Sequence, residues 1–428
     1  MELDAVVLFD ALSQVKIAGL SAGERAVRVA RRAGATRVRI VDRVREPLIA
    51  WRGDRRCPLL VIRADQLVHP PLVMPLVAAP PGEGLAIAVG PGDGDGYAGA
   101  MLATGARAAE VVAALAAGET DAAIAEAATQ RVPHGDIARH AIATPDERRA
   151  AHRMLYRILV KPQDNAITRY LYRPVSFPLT RLLVWTPITP NQISCLVGAI
   201  VALGCWLTAS ASLSRVVAGT AVILAAAYLD CCDGEVARLK LLSSRFGAWI
   251  DTVIDELSSV GYMVALGWHC HLAYGPRALG DLGFDPWLAA IVLGLVTYGG
   301  TMYGVYYNII VGVGSANSQD YAGSFEVVPG CQPGSVRLRP VAPAPIAPRS
   351  DRPAWLTALA TYLPYAVRRD FISWLALGFA LLHWTAALFT GFILGGIVTF
   401  AIVAIDHIKL RRLRRSIAQR GQVLEPAR

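Results

Sequence analysis

Four aspartates stand in apolar segments, where a charged side chain is hardest to accommodate. Asp230 and Asp233 close one long apolar run, and Asp251 and Asp255 lie inside the next. An ionisable group at membrane depth costs several kcal/mol on insertion scales, so such residues usually indicate a functional site. Four carboxylates in two consecutive apolar segments therefore predict two membrane helices that bind a multivalent cation.

The spacing places these aspartates on two helical stripes, because residues three, four and seven apart share one face of a helix. If the two helices pack antiparallel, the stripes converge. The mutual repulsion of the carboxylates is then relieved by a hard divalent cation with oxygen ligands. Small residues on or beside the stripes leave room for a substrate phosphate; they are Gly234, Ala237 and Gly247.

The alternative is a pair of buried helices held together by ion pairs. The basic partners would be Arg238, Lys240 and Arg245. A structural ion pair rarely needs four acids interspersed with glycine and alanine, so the metal site is the favoured hypothesis.

The same segment carries a longer pattern, D-x2-D-G-x2-A-R-x8-G-x3-D-x3-D, and every fixed position is matched from Asp230 to Asp255. This pattern resembles the signature of the CDP-alcohol phosphotransferases, integral membrane enzymes of phospholipid synthesis. Members of that family join an alcohol to the phosphoryl group of a CDP-linked donor and release CMP. The resemblance implies donors such as CDP-diacylglycerol or CDP-inositol, an alcohol or phospho-alcohol acceptor, and a homodimer formed through the membrane spans.

The resemblance also implies a role for each matched residue. The metal ligands would be Asp230, Asp233, Asp251 and Asp255, binding Mg²⁺ (or Mn²⁺), with two ions expected. Asp255 would in addition be the catalytic general base on the acceptor hydroxyl. The CDP-binding residues would be Gly234, Ala237, Arg238 and Gly247.

Composition favours a membrane protein with a soluble portion. The 428 residues are 54% hydrophobic with a mean hydropathy of +0.41, which is high for a soluble protein. Arginine, aspartate and glutamate are frequent in the first 150 residues, whereas long apolar runs dominate from about residue 191. A net charge of +9 suits anionic lipids and phosphate substrates, and with this hydropathy both are favoured over nucleic acid.

Six transmembrane spans are predicted in a membrane domain covering 191–412, because a span needs about 20 apolar residues. They lie at about 191–210, 216–236, 247–268, 287–311, 371–387 and 389–408. Arginines concentrate between the fourth and fifth spans and in the basic tail, 413–428. The positive-inside rule therefore predicts a multi-pass inner-membrane protein with both termini and the active site in the cytoplasm.

An amphipathic juxtamembrane segment is predicted at 143–190, where basic residues alternate with aromatic and aliphatic ones. This composition is typical of a helix in the headgroup plane. The segment contains Lys161-Pro-Gln-Asp-Asn165 and leads to Pro190-Asn191. Both resemble segments that precede the first span in fused family members, which implies that Pro190 and Asn191 lie near CDP; a proline followed by a polar residue equally suits a helix start.

Residues 1–142 are predicted to form a small cytoplasmic α/β domain. Short apolar strands alternate with helical stretches: strands Ala5–Phe9, Arg37–Val41, Pro58–Ile62 and Leu85–Val89, helices Glu24–Ala33 and Ala106–Ala117. The glycine-rich stretch Gly94–Gly99 is predicted to be a surface loop.

The order of these elements resembles a nucleotidyltransferase-like domain, which some family members carry as a fused cytidylyltransferase. The resemblance implies a metal-binding role for Asp65. The first loop, Phe9 to Lys16, has no glycine to cradle a triphosphate, so we predict a domain without CTP chemistry. An active cytidylyltransferase is the alternative.

The acceptor is left open by the sequence. Arg245, Arg368 and Arg369 are candidates for binding an acceptor phosphate, because a guanidinium group offers a bidentate fork. Glu256, however, stands where relatives that use inositol phosphate carry a basic residue. A competing hypothesis from another class is a cation transporter, whose acids would be distributed along several spans.

Overall fold

The structure is a computed structural model, and it describes most of the chain. The described residues are 2–42, 47–92, 96–160, 166–276, 280, 283–314, 320–332, 334–341 and 369–425. The predicted Lys161–Asn165 segment and Arg368 lie outside these ranges. The chain divides into two compact units, one formed by residues 1–193 with 230–248 and the other by residues 194–229 with 249–428.

The first unit is built around a mixed six-stranded sheet. The strands of the unit are β1 (Leu3–Leu8), β2 (Lys16–Ile17), β3 (Leu20–Ser21), β4 (Ala35–Val41), β5 (Leu59–Arg63), β6 (Gln66–Val68), β7 (Leu85–Val89), β8 (Tyr97–Ala103), β9 (Gln130–Pro133) and β10 (Arg139–Ala141). Strands β2 and β3 form a short hairpin, and β6 pairs with β10 in a separate ladder. The sheet order is β4-β1-β5-β8-β7-β9. Strand β1 runs parallel to both neighbours, and β8 runs antiparallel to β5 and β7.

Helices cover both faces of this sheet. The helices of the unit are α1 (Ala22–Arg32), α2 (Pro47–Arg52), α3 (Met74–Ala78), α4 (Ala106–Ala116), α5 (Asp121–Glu126), α6 (Pro145–Tyr156) and α7 (Arg173–Leu183). Because successive side chains of a strand point to opposite faces, Val7 packs with α1 while Val6 packs with α2 and α4. The result is the three-layer α/β region that the strand pattern predicted.

All four predicted strands and both predicted helices are present, with their ends shifted by one or two residues. The predicted surface loop Gly94–Gly99 is wrong in its second half, because Tyr97 begins β8. Gly99 lies inside this strand with a φ of +87°, and a β-carbon there would come within 2.2 Å of the Gln66 amide. The positive φ and the close Gln66 amide therefore favour glycine at this position inside the strand, and the glycine does not indicate a loop.

The described parts of the juxtamembrane segment, 143–160 and 166–190, are mostly helical and pack onto the first loop of the α/β region. Leu155, Leu159 and Val184 are fully buried in one apolar cluster with Ile17. Gly19 has a φ of +77°, and a β-carbon there would lie 1.9 Å from the Val184 carbonyl oxygen. A solvated linker would show neither feature.

The second unit is helical. Its helices are α8 (Pro190–Thr208), α9 (Leu213–Leu239), α10 (Arg245–Tyr274), α11 (Pro286–Asn308), α12 (Arg369–Leu381) and α13 (Thr385–Gln419), with the first residues of α8 and α10 and the last turns of α9 counted in the first unit. Four helices within the described part of the chain are long and apolar enough to cross a membrane: α8, α9, α11 with its continuation to Val313, and α13. The predicted third span falls in α10, and the predicted fifth falls in α12, which has only 13 residues.

Helices α11 and α13 pack closely through small residues. A β-carbon at Gly300 would lie 2.3 Å from the Phe400 ring, and one at Gly304 would lie 2.5 Å from Val403 Cγ1. Small residues that let two backbones approach are typical of helix pairs in membranes. Beyond these helices, β11 (Phe325–Pro329), β12 (Ser335–Pro340) and β13 (Val423–Leu424) form a three-stranded sheet.

Candidate metal and nucleotide site

The aspartate-bearing ends of α9 and α10 are joined by a short, well-defined turn. Helix α9 ends at Leu239, and two residues later Leu241 adopts a left-handed conformation (φ +54°). The Leu242 amide donates to the Ala237 carbonyl. This is the hydrogen-bond pattern of a Schellman cap, made without the usual glycine. Ser244 then caps α10, its Oγ accepting from the Gly247 amide at 2.9 Å.

Three of the four aspartates converge. One carboxylate oxygen from each of Asp230, Asp233 and Asp251 lies within 4.8 Å of the other two. Asp233 is buried, and the other two are half-buried. Three carboxylates so close repel each other strongly, and an all-oxygen donor set of this kind suits a hard divalent cation. The residues present therefore fit the predicted metal. Asp255 lies about one helical turn further along α10 and is not part of this group of three.

The small residues of the signature differ in their surroundings. Among the residues that the structure describes, none has an atom within 4 Å of a β-carbon placed at Gly234, so this position has free space beside it. A β-carbon at Gly247 would lie 2.8 Å from Asn191 Oδ1. The structure thus brings Asn191 against the signature glycine, as expected if both line one site. Pro190 is the first residue of α8, while Ala237 and Arg238 lie half-buried in the last turns of α9.

A buried carboxylate inside the signature was missed by the sequence analysis. Glu235 has no exposed surface, and Arg173 on α7 forms an ion pair with it. The hydroxyl groups of Ser176 and Thr180 donate to the same carboxylate, at 2.9 Å and 2.6 Å. A buried charge needs such partners, because leaving it without them costs several kcal/mol. The network therefore fixes the helix turn that carries Asp233.

This network corrects the interpretation of the juxtamembrane segment at one point. Arg173 is one of the basic residues of the segment predicted to lie in the headgroup plane, but its side chain is only 9% exposed and forms an ion pair with Glu235. The spacing of three polar residues in this helix could have indicated the buried contact. Arg173, Ser176 and Thr180 are three, four and seven residues apart, so they form one polar stripe along α7.

The observed partners of Lys240 differ from those expected in the ion-pair alternative, in which this residue would neutralise an aspartate. Its Nζ donates to the backbone carbonyls of Thr186 and Ile188, at 2.6 Å and 3.2 Å. These carbonyls precede Pro190 and Asn191 by a few residues. Lys240 therefore ties the end of α9 to the chain that leads into α8.

The end of α9 is also held by the N-terminal α/β region. Arg25 Nη2 on α1 donates to the Leu239 carbonyl at 2.9 Å, and Arg28 Nη1 donates to the Lys240 carbonyl at 2.6 Å. The last carbonyls of a helix have no partner within the helix, and cations are favourable at that end. Burial lowers the pKa of Arg25 to about 10, which leaves the side chain charged at neutral pH.

The two described acceptor candidates each begin a helix. Arg245 is exposed at the first position of α10, and Arg369 is the first residue of α12. Glu256, the residue that departs from the inositol-phosphate pattern, accepts a hydrogen bond from the Tyr298 hydroxyl. Its carboxylate is therefore engaged with a neighbouring helix of the same unit.

Comparison with known proteins gives the matching family. Residues 187–326 match the family model described as CDP-alcohol phosphatidyltransferase, and this stretch contains the converging aspartates. This stretch therefore resembles a CDP-alcohol phosphatidyltransferase domain. A transferase domain in this position means that the transporter hypothesis is wrong, whereas the recognition of the family from its signature is confirmed.

Several curated proteins are similar in sequence to parts of this chain. The "Bifunctional IPC transferase and DIPP synthase" of Aquifex aeolicus is 31% identical over 156 residues, which are 36% of this chain and 33% of the relative. "Phosphatidylinositol phosphate synthase" of Corynebacterium glutamicum is 31% identical over 103 residues, 24% of this chain and 46% of the relative. The "CDP-diacylglycerol--glycerol-3-phosphate 3-phosphatidyltransferase 1, chloroplastic/mitochondrial" of Arabidopsis thaliana is 35% identical over 74 residues, 17% of this chain and 23% of the relative. The chain thus spans about a third of the length of the bifunctional relatives that it matches.

Proposed function

We propose that this protein is a membrane transferase that moves a phosphoryl-alcohol group from a CDP-linked donor to an acceptor hydroxyl and releases CMP. The observation that carries the proposal is the convergence of Asp230, Asp233 and Asp251 inside the matched domain. A donor pyrophosphate needs its negative charge neutralised, and an oxygen-rich metal site supplies that chemistry.

In this proposal the three converging aspartates hold Mg²⁺ or Mn²⁺, with two ions expected and Asp255 contributing to the second. When bound there, the metal would supply positive charge for the donor pyrophosphate and the CMP leaving group. Asp255 accepts the proton of the attacking hydroxyl as general base. The open space at Gly234 and the contact between Asn191 and Gly247 support a CDP site at this end of the domain, completed by Pro190, Ala237 and Arg238.

The names of the relatives supply candidates for the donor and the acceptor. These names include CDP-diacylglycerol, glycerol 3-phosphate and phosphatidylinositol phosphate, which favours a phospholipid pathway and a phospho-alcohol acceptor. Arg245, Arg368 and Arg369 would bind the acceptor phosphate. Against this, Glu256 at the end of the signature would repel a phosphate, so a neutral alcohol is retained in the test below.

The proposed topology keeps six spans, with α10 and the helix containing Phe371–Leu381 added to the four apolar helices. A span in α10 tolerates its acids if they face a site inside the protein rather than lipid. The domain boundaries proposed are a cytoplasmic α/β domain at 1–142, the juxtamembrane segment at 143–190, the transferase domain at 191–412 and a basic tail at 413–428. The active site and both termini then face the cytoplasm, and the protein is a homodimer in the inner membrane.

For the N-terminal region we propose a nucleotidyltransferase-like fold that does not use CTP. Arg63 engages both carboxylate oxygens of Asp65, so a cation already neutralises the candidate metal ligand. The first loop forms a short 3-10 helix capped by Asp10, and Val184 closes over Gly19. The word "Bifunctional" in the names of the relatives favours the alternative of an active cytidylyltransferase.

The transferase proposal is tested by CMP release from purified full-length protein in detergent, across a panel of CDP donors with alcohol and phospho-alcohol acceptors. We expect metal-dependent CMP release for one donor–acceptor pair, and loss of it in Asp251→Asn. No CMP release with any pair, in protein that remains folded, would contradict the proposal. CTP consumption by the same protein is compared with that of Asp65→Asn. CTP consumption that Asp65→Asn abolishes would show an active cytidylyltransferase, and no CTP consumption would support a domain without CTP chemistry.

A further inference from the structure

A cavity lined by arginines lies at the polar end of α13, away from the residues assigned to catalysis. It has a volume of about 360 Å³. Three arginines line it, Arg411, Arg414 and Arg415, together with Tyr307 and Gln422. Three like charges around one cavity repel each other, and an anion between them relieves that repulsion.

The cavity is held in shape by the small sheet of the second unit. Strand β13 pairs with β12, and the Glu425 carboxylate accepts from the Cys331 amide at 2.7 Å and from Ser335 Oγ at 2.6 Å. These bonds fix Gln422 and Leu424 as one wall. On the opposite side Arg414 Nη1 donates to the Tyr307 hydroxyl at 2.8 Å, and Arg411 lies over the same ring.

The nearby carboxylates are engaged elsewhere. Asp406 pairs with Lys409 at 3.1 Å, and Glu425 pairs with Arg337. Within the described ranges, no acidic side chain comes within ion-pair distance of the three arginines of the cavity. The positive charge in this cavity is therefore left for a ligand.

The position along α13 indicates where that ligand comes from. From Thr385 to Ile405 the helix has 21 residues without an ionisable side chain. Such a stretch is about 31 Å long and matches the hydrocarbon core of a bilayer. Arg411 follows about 9 Å further along the axis, and helical side chains lean toward the N-terminus, here toward the membrane. Arg411 therefore reaches the layer of lipid phosphates, and Arg414 and Arg415 follow about one helical turn further along the axis.

We propose that this cavity binds a phosphate group, and that the phosphate belongs to the headgroup of an anionic phospholipid. Guanidinium groups bind phosphate oxygens with bidentate geometry, and basic pockets at the ends of membrane helices suit anionic headgroups. The proposal does not depend on the transferase assignment, because none of its residues belongs to the aspartate site.

The test compares two double variants of the full-length protein with equal loss of charge on the same helix. Arg411→Gln with Arg415→Gln removes two arginines of the cavity and leaves the contact between Arg414 and Tyr307. Arg412→Gln with Arg420→Gln removes two arginines that do not line it. Native mass spectrometry in detergent measures the binding of phosphatidylglycerol, phosphatidylcholine and inorganic phosphate, and the melting temperature shows that each variant is folded.

We expect wild-type protein to bind phosphatidylglycerol in preference to phosphatidylcholine, and the cavity variant to lose this binding by about tenfold or more, while the control stays within threefold of wild type. Equal losses in both variants would show general charge attraction and overturn the proposal. Equal binding of the two lipids would also overturn it. Binding of inorganic phosphate in place of the lipid would overturn the assignment to a lipid headgroup.

Discussion

Arg25 donates a hydrogen bond to the Leu239 carbonyl, 214 positions later in the chain and 2.9 Å away. The carbonyl belongs to the last turn of the helix that carries Asp230 and Asp233. The N-terminal α/β region and the acidic end of this helix therefore belong to one compact unit, which explains why residues 230–248 group with residues 1–193. Any change that loosens α1 is expected to affect the end of α9.

Arg25→Ala is expected to lower the stability of the protein by about 3 kcal/mol. The substitution leaves a cavity and removes the donor to the Ile17 and Leu239 carbonyls. Thermal unfolding in detergent measures the effect. Arg31→Ala, at an exposed position of the same helix, is the control and should change stability by less than about 0.5 kcal/mol. Equal effects of the two substitutions would contradict the importance of the Arg25 bonds.

Glu235→Gln is expected to destabilise the first unit by about 3 kcal/mol, because Arg173 keeps its buried charge without a counter-charge. The apparent requirement for Mg²⁺ in the CMP-release assay should rise as well, since Asp233 lies on the same helix turn. Ser176→Ala removes one hydrogen bond and keeps the ion pair, so its cost should be near 1 kcal/mol. An unchanged Mg²⁺ requirement in folded Glu235→Gln would show that the network is purely structural.

Asp255→Asn is expected to abolish turnover, with a loss of at least about 100-fold, while CDP binding stays largely intact. The amide cannot accept the proton of the acceptor, and the three converging aspartates remain. Isothermal titration with CDP and Mg²⁺ measures binding, and CMP release measures turnover. Glu256→Gln changes the adjacent carboxylate and should have a much smaller effect on turnover. Turnover at the wild-type level in Asp255→Asn would rule out Asp255 as the base.

The two signature glycines should respond differently to alanine. Gly234→Ala meets no atom within 4 Å, so it should fold normally and weaken CDP binding by filling the space proposed for the nucleotide. Gly247→Ala would press on Asn191 Oδ1 and Ser244 Oγ and should also lower the melting temperature. Melting temperature and CDP affinity separate the two effects. Normal CDP binding by Gly234→Ala would place the nucleotide elsewhere.

Acid should weaken the α/β region through His69. Burial, reinforced by Arg25 and Arg32, lowers the pKa of His69 to about 4. The unfolded chain therefore binds a proton below about pH 6.5 that the folded protein takes up only near pH 4, and stability falls between these values by up to about 3 kcal/mol. His69→Leu should flatten the melting temperature over this range, whereas His134→Asn should not. An unchanged profile in His69→Leu would exclude this histidine as the cause.

Much of the fold could be predicted from local patterns. Strand alternation located β1, β4, β5 and β7, and the apolar runs located the long helices, because both signals depend on neighbouring residues only. Strand β8 was missed because glycine is usual in loops, and the left-handed φ of Gly99, together with the nearby Gln66 amide, explains a glycine inside a strand. Four of the six predicted spans are long and apolar enough to cross a membrane; in α10 the acids Asp251, Asp255 and Glu256 reduce the apolar character, and the apolar helix Phe371–Leu381 is short.

The sequence by itself determined the match to the family and the helical faces that carry Asp230, Asp233 and Asp251, because the spacing of these residues fixes their faces before any folding. Only the tertiary structure decided what holds those residues in place. Glu235 is a variable position of the signature and meets Arg173 from 62 residues away, and the arginines of α13 acquire a cavity only when the β12 and β13 strands pair. Contacts between distant parts of the chain depend on packing, which no local pattern specifies.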